Sequence, residues 1–474
     1  TIRPGLPAGV PATTAESIPT MKITSINPAT DQPIREYPLM DPAAVRQTIA
    51  ATHRAFTSWR RTSFPERATL MRAAGRILRE RAPEFGLLMT AEMGKPLKSA
   101  QAEAEKCAWV CDYYAEHAET ILAPELIATD ASRSFASFEP LGVILAVMPW
   151  NFPYWQVFRF AVPAVMAGNV ALLKHAQNVL GCGDAMAGLF REAGFEDGVF
   201  QHLVVEVEQV ESIIADDRVR GVSLTGSVRA GRAVGKQAGE ALKPCVLELG
   251  GSDAFVVLDD ADLDRAVEIG VASRTQNNGQ SCIAAKRFIL HRAIADDFTE
   301  RFTQAMAALT LGDPTTEAAD LGPLAREDLR DGLHDQVERL QRDGATIQTG
   351  GAIPDREGWF YPPTVLTGVT EHMLPFREEL FGPVAALIEA EDEADALRLA
   401  NATPFGLGGA VFTEDRERGE RFARGMRSGA CFVNEMTKSH PALPFGGVGQ
   451  SGVGRELARQ GIRSFVNEKT IWID

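Results

Sequence analysis

Apolar residues recur at three- and four-residue spacing between Pro42 and His117, in Val45, Ile49 and Ala50 and again in Leu70, Ala74, Ile77 and Leu78. That period predicts that helices dominate the first quarter of the chain. From Leu141 onward the pattern changes to short apolar runs bounded by Gly, Pro or Asp: Leu141–Val147, Val170–Leu173, Val219–Leu224, Val246–Leu249, Ala254–Leu258 and Phe288–Leu290. Longer amphipathic segments separate them. Runs with no polar alternation are strands buried on both faces, and strands alternating with helices form βαβ units with parallel sheets, so the expected fold class is α/β. No repeat, low-complexity tract or long linker interrupts the chain, so its parts pack closely. The acidic Glu389–Asp395 reads as a solvated helix start, and the Gly- and Pro-rich stretch from Pro441 to Gly454 as a loop free to lie against a ligand or a neighbouring subunit.

Composition narrows the partners. The 474 residues carry 48 basic and 63 acidic side chains, a net charge of −15, which leaves no general attraction for nucleic acid or anionic lipid. Neither disorder nor a fibre suits a chain that is 45% hydrophobic and 23% charged. At roughly 150 residues per domain the length predicts about three domains. The longest clean apolar run, Leu141 to Trp150, is about half of what a membrane helix requires, so no membrane span is expected. Six scattered cysteines lack C-x-x-C spacing, and the eight histidines lack H-E-x-x-H; a metal centre and a disulfide framework are both unexpected, and a reducing cytoplasm fits best. Cys107 and Cys111, four apart on a helix, read as packing residues, and Trp109, Tyr113 and Tyr114 as core or subunit contacts. Residues 1–21 read as an N-terminal extension without the charged and apolar regions of a signal peptide.

Three segments carry candidate chemistry. Asn277-Asn278-Gly279-Gln280-Ser281-Cys282 places a thiol on a loop between a helical stretch and a strand. Val246-Leu247-Glu248-Leu249-Gly250-Gly251 puts a carboxylate at the end of an apolar strand, where it is either a base of raised pKa or one half of a salt bridge. Met148-Pro149-Trp150-Asn151-Phe152-Pro153 offers an amide able to donate to an oxyanion. Aldehyde oxidation needs such a set: a thiolate to add to the carbonyl, donors for the oxyanion, a hydride acceptor and a base to activate water against the thioester.

With these motifs residues 21–474 closely resemble the NAD(P)-dependent aldehyde dehydrogenase superfamily, and Leu173-Lys174, Thr225-Gly226-Ser227, Glu379-Leu380-Phe381-Gly382-Pro383 and Pro444-Phe445-Gly446-Gly447 follow in the family's order. The resemblance implies Cys282 as nucleophile, Glu248 as general base for deacylation and Asn151 as oxyanion donor beside the Cys282 N–H. It implies cofactor contacts from Pro149, Trp150, Lys174, Gln177, Gly226, Ser227, Glu379 and Phe381, with Lys174 at the adenosine ribose and Gly226 and Ser227 opening a helix toward the pyrophosphate. It also implies a Rossmann-type dinucleotide-binding domain (22–121 and 141–247), an α/β catalytic domain (248–440), and a small β oligomerisation arm (122–140 and 454–474) that builds a homodimer or homotetramer.

Gln177 stands where NAD-preferring relatives commonly carry a Glu; loss of that charge makes NADP tolerable and NAD still usable, with Lys174 and His175 as the nearby positive groups. Val205-Glu206-Val207-Glu208 departs from the glycine-bearing loop of many relatives. The signatures Leu172-Leu173-Lys174-His175-Ala176 and Asn434-Glu435-Met436-Thr437-Lys438-Ser439 look like those of bacterial succinate-semialdehyde dehydrogenases, which implies a carboxylated aldehyde held by Arg159 and Ser439. The alternative for Arg159 is a structural acid as its partner. A second arginine found in some relatives is Gln276 here, leaving Lys438 or His440 to compensate; Ala284 replaces the cysteine that can form a regulatory disulfide. Glutarate semialdehyde and uncharged medium-chain aldehydes are the rival substrates, and transfer of the acyl group to CoA the rival reaction.

Overall fold

The computed structural model describes residues 21–474, so the expected extension lies, but for Met21, outside the described residues. The chain opens on an antiparallel hairpin, β1 (Lys22–Asn27) and β2 (Gln32–Pro38), that the helical period of the first quarter does not announce. Helices α1 (Pro42–Trp59), α2 (Phe64–Glu80), α3 (Ala82–Met93) and α4 (Leu97–Ile121) follow. Their starts are local chemistry: Asp41 caps α1 ahead of Pro42, and Ser63 and Glu66 form a reciprocal capping box on α2.

Short β3 (Glu125–Leu126) and β4 (Arg133–Pro140) lead into β5 (Val143–Val147), α5 (Trp155–Met166), β6 (Val170–Lys174), α6 (Leu180–Glu192), β7 (Phe200–His202), α7 (Gln209–Ala215), β8 (Val219–Thr225), α8 (Val228–Glu240) and β9 (Cys245–Glu248). The second half continues with β10 (Asp253–Val257), α9 (Leu263–Thr275), β11 (Ala285–His291), α10 (Ala295–Ala307), α11 (Glu327–Arg342), β12 (Thr346–Thr349), β13 (Thr364–Thr367) and β14 (Val384–Ala390). It closes with α12 (Glu393–Asn401), β15 (Gly409–Phe412), α13 (Arg416–Gly425), β16 (Phe432–Val433), β17 (Gly452–Val453), α14 (Ala458–Arg463) and β18 (Val466–Ile473). Of the acidic stretch, Glu389 is the penultimate residue of β14, which ends at Ala390, and Asp392 caps α12.

One sheet of six strands has the order β17-β9-β8-β5-β6-β7, parallel except for β17. Chain order runs outward from β5 through β6 to β7 on one side and from β8 to β9 on the other, so β5 and β8 flank a topological switch point. A crevice at their carboxyl ends is where open α/β sheets take ligands. Glu248 ends β9 in this sheet, paired with Thr225 and Gly452, and so lies at the edge of the first α/β unit.

A second sheet of seven strands runs β12-β13-β14-β11-β10-β15-β16. Along β10, Ala254 and Val256 enter one apolar cluster while Phe255 and Val257 enter the cluster on the opposite face, the alternation a strand buried on both sides requires. A third sheet, β18-β4-β3, leaves β18 as an edge strand with Trp472 and Ile473 exposed, and Leu126 and Ile127 are exposed at the opposite edge. No helix among the described residues is long and apolar enough to cross a membrane.

Candidate active site

The loop between α9 and β11 makes a turn that few side chains tolerate. Asn277 and Asn278 are left-handed, with φ of 57° each, and Gly279 follows at 75°. A Cβ on Gly279 would lie 2.3 Å from the Gly382 carbonyl carbon, so this position needs glycine for space as well as conformation. Asn278 secures the turn through its whole amide, donating to the Gly94 and Pro323 carbonyls at 2.9 and 2.8 Å and accepting from the Gly322 N–H at 2.9 Å. Buried Arg274 donates to the carbonyls of Ala285 (2.7 Å) and Gly279 (2.6 Å), bracing both ends. Arg274→Met leaves those two carbonyls without donors and is expected to lower stability by about 2–4 kcal/mol. A lower urea midpoint together with faster alkylation of Cys282 is the check.

The turn presents Cys282, half-buried, at the junction of two cavities. Burial pushes its thiol up to about 12, against the opposing charges of Lys286 and Arg159. Lys286, fully buried on β11, donates to the Ser281 carbonyl at 2.8 Å and the Cys282 carbonyl at 2.5 Å, and pairs with Glu379 at 3.0 Å. No sequence motif assigned this lysine a role.

The first cavity, about 270 Å³, is walled by Pro149, Trp150, Asn151, Thr225, Gly226, Ser227, Glu248, Glu379 and Phe381 together with Cys282. It opens at the β5/β8 switch point. Asn151 spends one amide N–H on the Gln280 carbonyl at 3.1 Å and keeps a second. No acceptor among the described residues takes the Cys282 N–H. Both carboxyl oxygens of buried Glu248 lack hydrogen-bond partners among the described residues. Burial and the neighbouring Glu456 raise its pKa well above the carboxylate range, against Arg159 and Arg455. Of the two sequence alternatives, the salt bridge is not formed: Glu248 has no ion-pair partner among the described residues.

The same cavity suits a dinucleotide. Ser227 caps α8 by accepting from the Ala230 N–H at 3.2 Å, and no neighbour comes within 3.7 Å of a Cβ placed on Gly226, so an anionic group has room over the free N–H groups of the first turn. The Trp150 and Phe381 rings meet edge to face at 5.7 Å, and Glu379 accepts from the Gly251 N–H at 3.2 Å. Lys174 is buried at the end of β6 and lies near Glu206 and Glu208. Two expectations about this region change. His175 has its ring nitrogens 3.3 and 3.0 Å from the Met148 and Pro153 carbonyls, and burial pushes its pKa down to about 3, so it braces the β5–α5 loop as a neutral ring and offers no positive charge. Gln177 donates to Glu206 at 2.5 Å, so a carboxylate stands one hydrogen bond from a position read as neutral.

The second cavity, about 210 Å³, is lined by Glu103, Lys106, Trp155, Arg159, Gln276, Cys282, Lys438, Ser439 and Phe445, and shares Gln156 and Cys282 with the first. Arg159 and Ser439 thus converge, as the resemblance implies. The guanidinium, however, is ion-paired with buried Glu456, donates to Thr225 Oγ1 at 3.2 Å and lies over the Phe445 ring. Neither proposed substitute for the second arginine is free: Lys438 pairs with Glu435 at 2.8 Å, and His440 packs edge-on against Trp109. Lys106 went unnoticed in the sequence. Its signal was available, since α4 buries Glu103, Cys107, Val110 and Cys111 on one stripe and Lys106 borders it. Cys107 and Cys111 are packing residues there, as read, and no metal-binding cluster occurs among the described residues.

Comparison with known proteins identifies the family. The chain is 49% identical over 453 residues to a probable NADP(+) succinate-semialdehyde dehydrogenase of Synechocystis sp., covering 96% of this chain and 100% of that protein. It is 50% identical over 456 residues to NADP(+) succinate-semialdehyde dehydrogenase 1 of Mycobacterium tuberculosis, covering 96% of this chain and 100% of the relative. The crystal structure of succinic semialdehyde dehydrogenase from Streptococcus pyogenes with NADP+ superposes with a TM-score of 0.93 at 36% identity, over 95% of this chain and 99% of that one. Residues 14–471 match the family model for aldehyde dehydrogenases, and the chain belongs to the aldehyde dehydrogenase family.

Proposed function

We propose that the protein oxidises succinate semialdehyde to succinate through an acyl-enzyme on Cys282, with NADP or NAD as acceptor. The observation that carries this reading is the pair of cavities meeting at Cys282, one built for an anionic dinucleotide and the other walled by cationic and hydroxyl side chains. The relatives named above add the aldehyde and the NADP.

In this reading the Cys282 thiol gives its proton to solvent water, the sulfur adds to the aldehyde carbon, and the new oxyanion is held by the free Asn151 amide N–H and the Cys282 backbone N–H. A nicotinamide held beside Trp150, Glu379 and Phe381 would supply the hydride acceptor, and loss of hydride from the adduct carbon leaves a thioester on Cys282. Glu248, ionised, then takes a proton from water; the oxygen bonds to the acyl carbon, the C–S bond breaks, and the carboxylate product leaves. A carboxylate of raised pKa is a stronger base than an ordinary one, which favours water over CoA as the acyl acceptor.

The dinucleotide-binding domain comprises 22–121 and 141–247, the catalytic domain 248–440, and the β3, β4 and β18 sheet an arm. Exposed Trp472 and Ile473 on its edge strand fit a dimer or tetramer. Six free cysteines suit the reducing cytoplasm. A kcat/KM panel over succinate semialdehyde, glutarate semialdehyde and butanal, with NADP and NAD at equal concentration, tests the assignment. Succinate semialdehyde should exceed butanal by at least about tenfold; equal values for the two would overturn it.

A further inference from the structure

We infer that Lys286 is a positioning residue for the oxyanion site: its ammonium fixes and polarises the Ser281–Cys282 peptide, whose N–H receives the developing oxyanion. This rests on the reading of Cys282 as a nucleophile that becomes acylated. The strand that carries the lysine is irregular at that residue. Asp253 of β10 pairs with Ala285 and Ala254 with Arg287, so Lys286 is the extra residue of a bulge, a device that re-aims a side chain out of the regular alternation. The side chain turns back beneath the nucleophile's loop and is fully buried. All three of its N–H groups are placed, on the Ser281 carbonyl (2.8 Å), the Cys282 carbonyl (2.5 Å) and Glu379 (3.0 Å).

A peptide unit is planar and trans, so whatever holds its carbonyl aims its N–H in the opposite direction. The Ser281 carbonyl accepts from Lys286 and, at 3.2 Å, from the Ala284 N–H. At the other end of the same unit the Cys282 N–H has no acceptor among the described residues. A charged donor on the carbonyl draws electron density along the unit and makes that N–H a stronger donor, at the place where negative charge develops on the aldehyde oxygen. The buried charge is itself compensated, because Glu379 Oε1 accepts from the ammonium and from the Gly251 N–H (3.2 Å). Glu379 Oε2 has no partner among the described residues and belongs to the wall of the dinucleotide cavity. One ammonium thus joins the nucleophile's turn to the cofactor's side of the site, and its effect on the turn is read in cofactor-free protein.

Two probes of Cys282 separate the roles. With p-nitrophenyl acetate the sulfur bonds to the acyl carbon through a tetrahedral oxyanion, p-nitrophenoxide leaves and the thiol proton goes to water; with iodoacetamide the sulfur displaces iodide and no oxyanion forms. Thiol ionisation and access enter both rates, so their ratio at one fixed pH reports the oxyanion site. Lys286→Met should lower acylation relative to alkylation by about 10- to 100-fold. Lys286→Gln, which keeps a donor without the charge, should fall between that variant and the unaltered protein. Equal changes in both rates would make the lysine a support of the loop or of the thiol alone and overturn the proposal. Should Lys286→Met fail to fold, the glutamine variant decides: a ratio equal to that of the unaltered protein refutes it. If mass spectrometry finds no acetyl group on Cys282 of the unaltered protein, the acyl-enzyme reading falls and the proposal with it.

Discussion

Glu248→Gln turns the enzyme into a single-use reagent: the first equivalent of aldehyde is oxidised at a near-normal rate, and steady turnover falls by about 10²–10⁴-fold. The amide keeps the shape of the wall but cannot take a proton from water, so the thioester on Cys282 accumulates. Rapid quenching and mass spectrometry should find it on the peptide containing Cys282. A second signature comes from stability. Both Glu248 oxygens are buried without partners, and its folded pKa lies well above the ordinary 4.5. Between the two values the folded state binds more protons than the unfolded one, so this group's contribution to stability declines as pH rises from about 4.5 through the folded pKa. The glutamine variant escapes that loss. Its melting temperature should match the parent near pH 4 and exceed it increasingly toward pH 8; a constant difference across that range would contradict the raised pKa.

Cys282→Ala should abolish aldehyde oxidation, with kcat falling by at least about 10⁴-fold. The side chain is only half-buried and sits on a loop held by Asn278, Arg274 and Lys286, so removing the sulfur leaves the fold and both cavities in place. Dinucleotide binding, followed by quenching of tryptophan fluorescence, should therefore survive unchanged. Residual oxidation near the parent rate would remove the covalent mechanism. Because burial pushes the thiol up to about 12, alkylation of Cys282 in the cofactor-free protein should be slow at pH 7 and quicken as pH rises.

What could be read from the sequence follows from the range of the interactions involved. The buried strands were legible because a parallel sheet covered on both faces demands continuous apolar runs, and β5, β6, β8 and β10 supply them within a residue or two of the expected bounds. The opening hairpin was not, because β2 is exposed at all but one position and leaves no alternation to see. Cys282, Glu248 and Asn151 stood out through short motifs. Their supports did not. Lys106 reaches Ser439 across most of the chain, and Arg159 finds Glu456 in the segment after β17, pairings that no local pattern encodes. In the same way Gln177 looked neutral until the fold laid Glu206 against it.

The pairing of β17 with β9 makes the general base depend on a distant segment of the chain. Gly452 lies opposite Glu248, Ser451 accepts from the Leu249 N–H and donates to the Gly250 carbonyl, and Glu456 then reaches Arg159 and biases Glu248. The general base therefore has its surroundings only when residues 451–456 are docked. Without that docking, β9 and the base it carries would form an uncovered edge of the six-stranded sheet. Competence depends on that docking, and a protease that cuts the loop before Ser451 should undo it without touching a residue that handles the aldehyde.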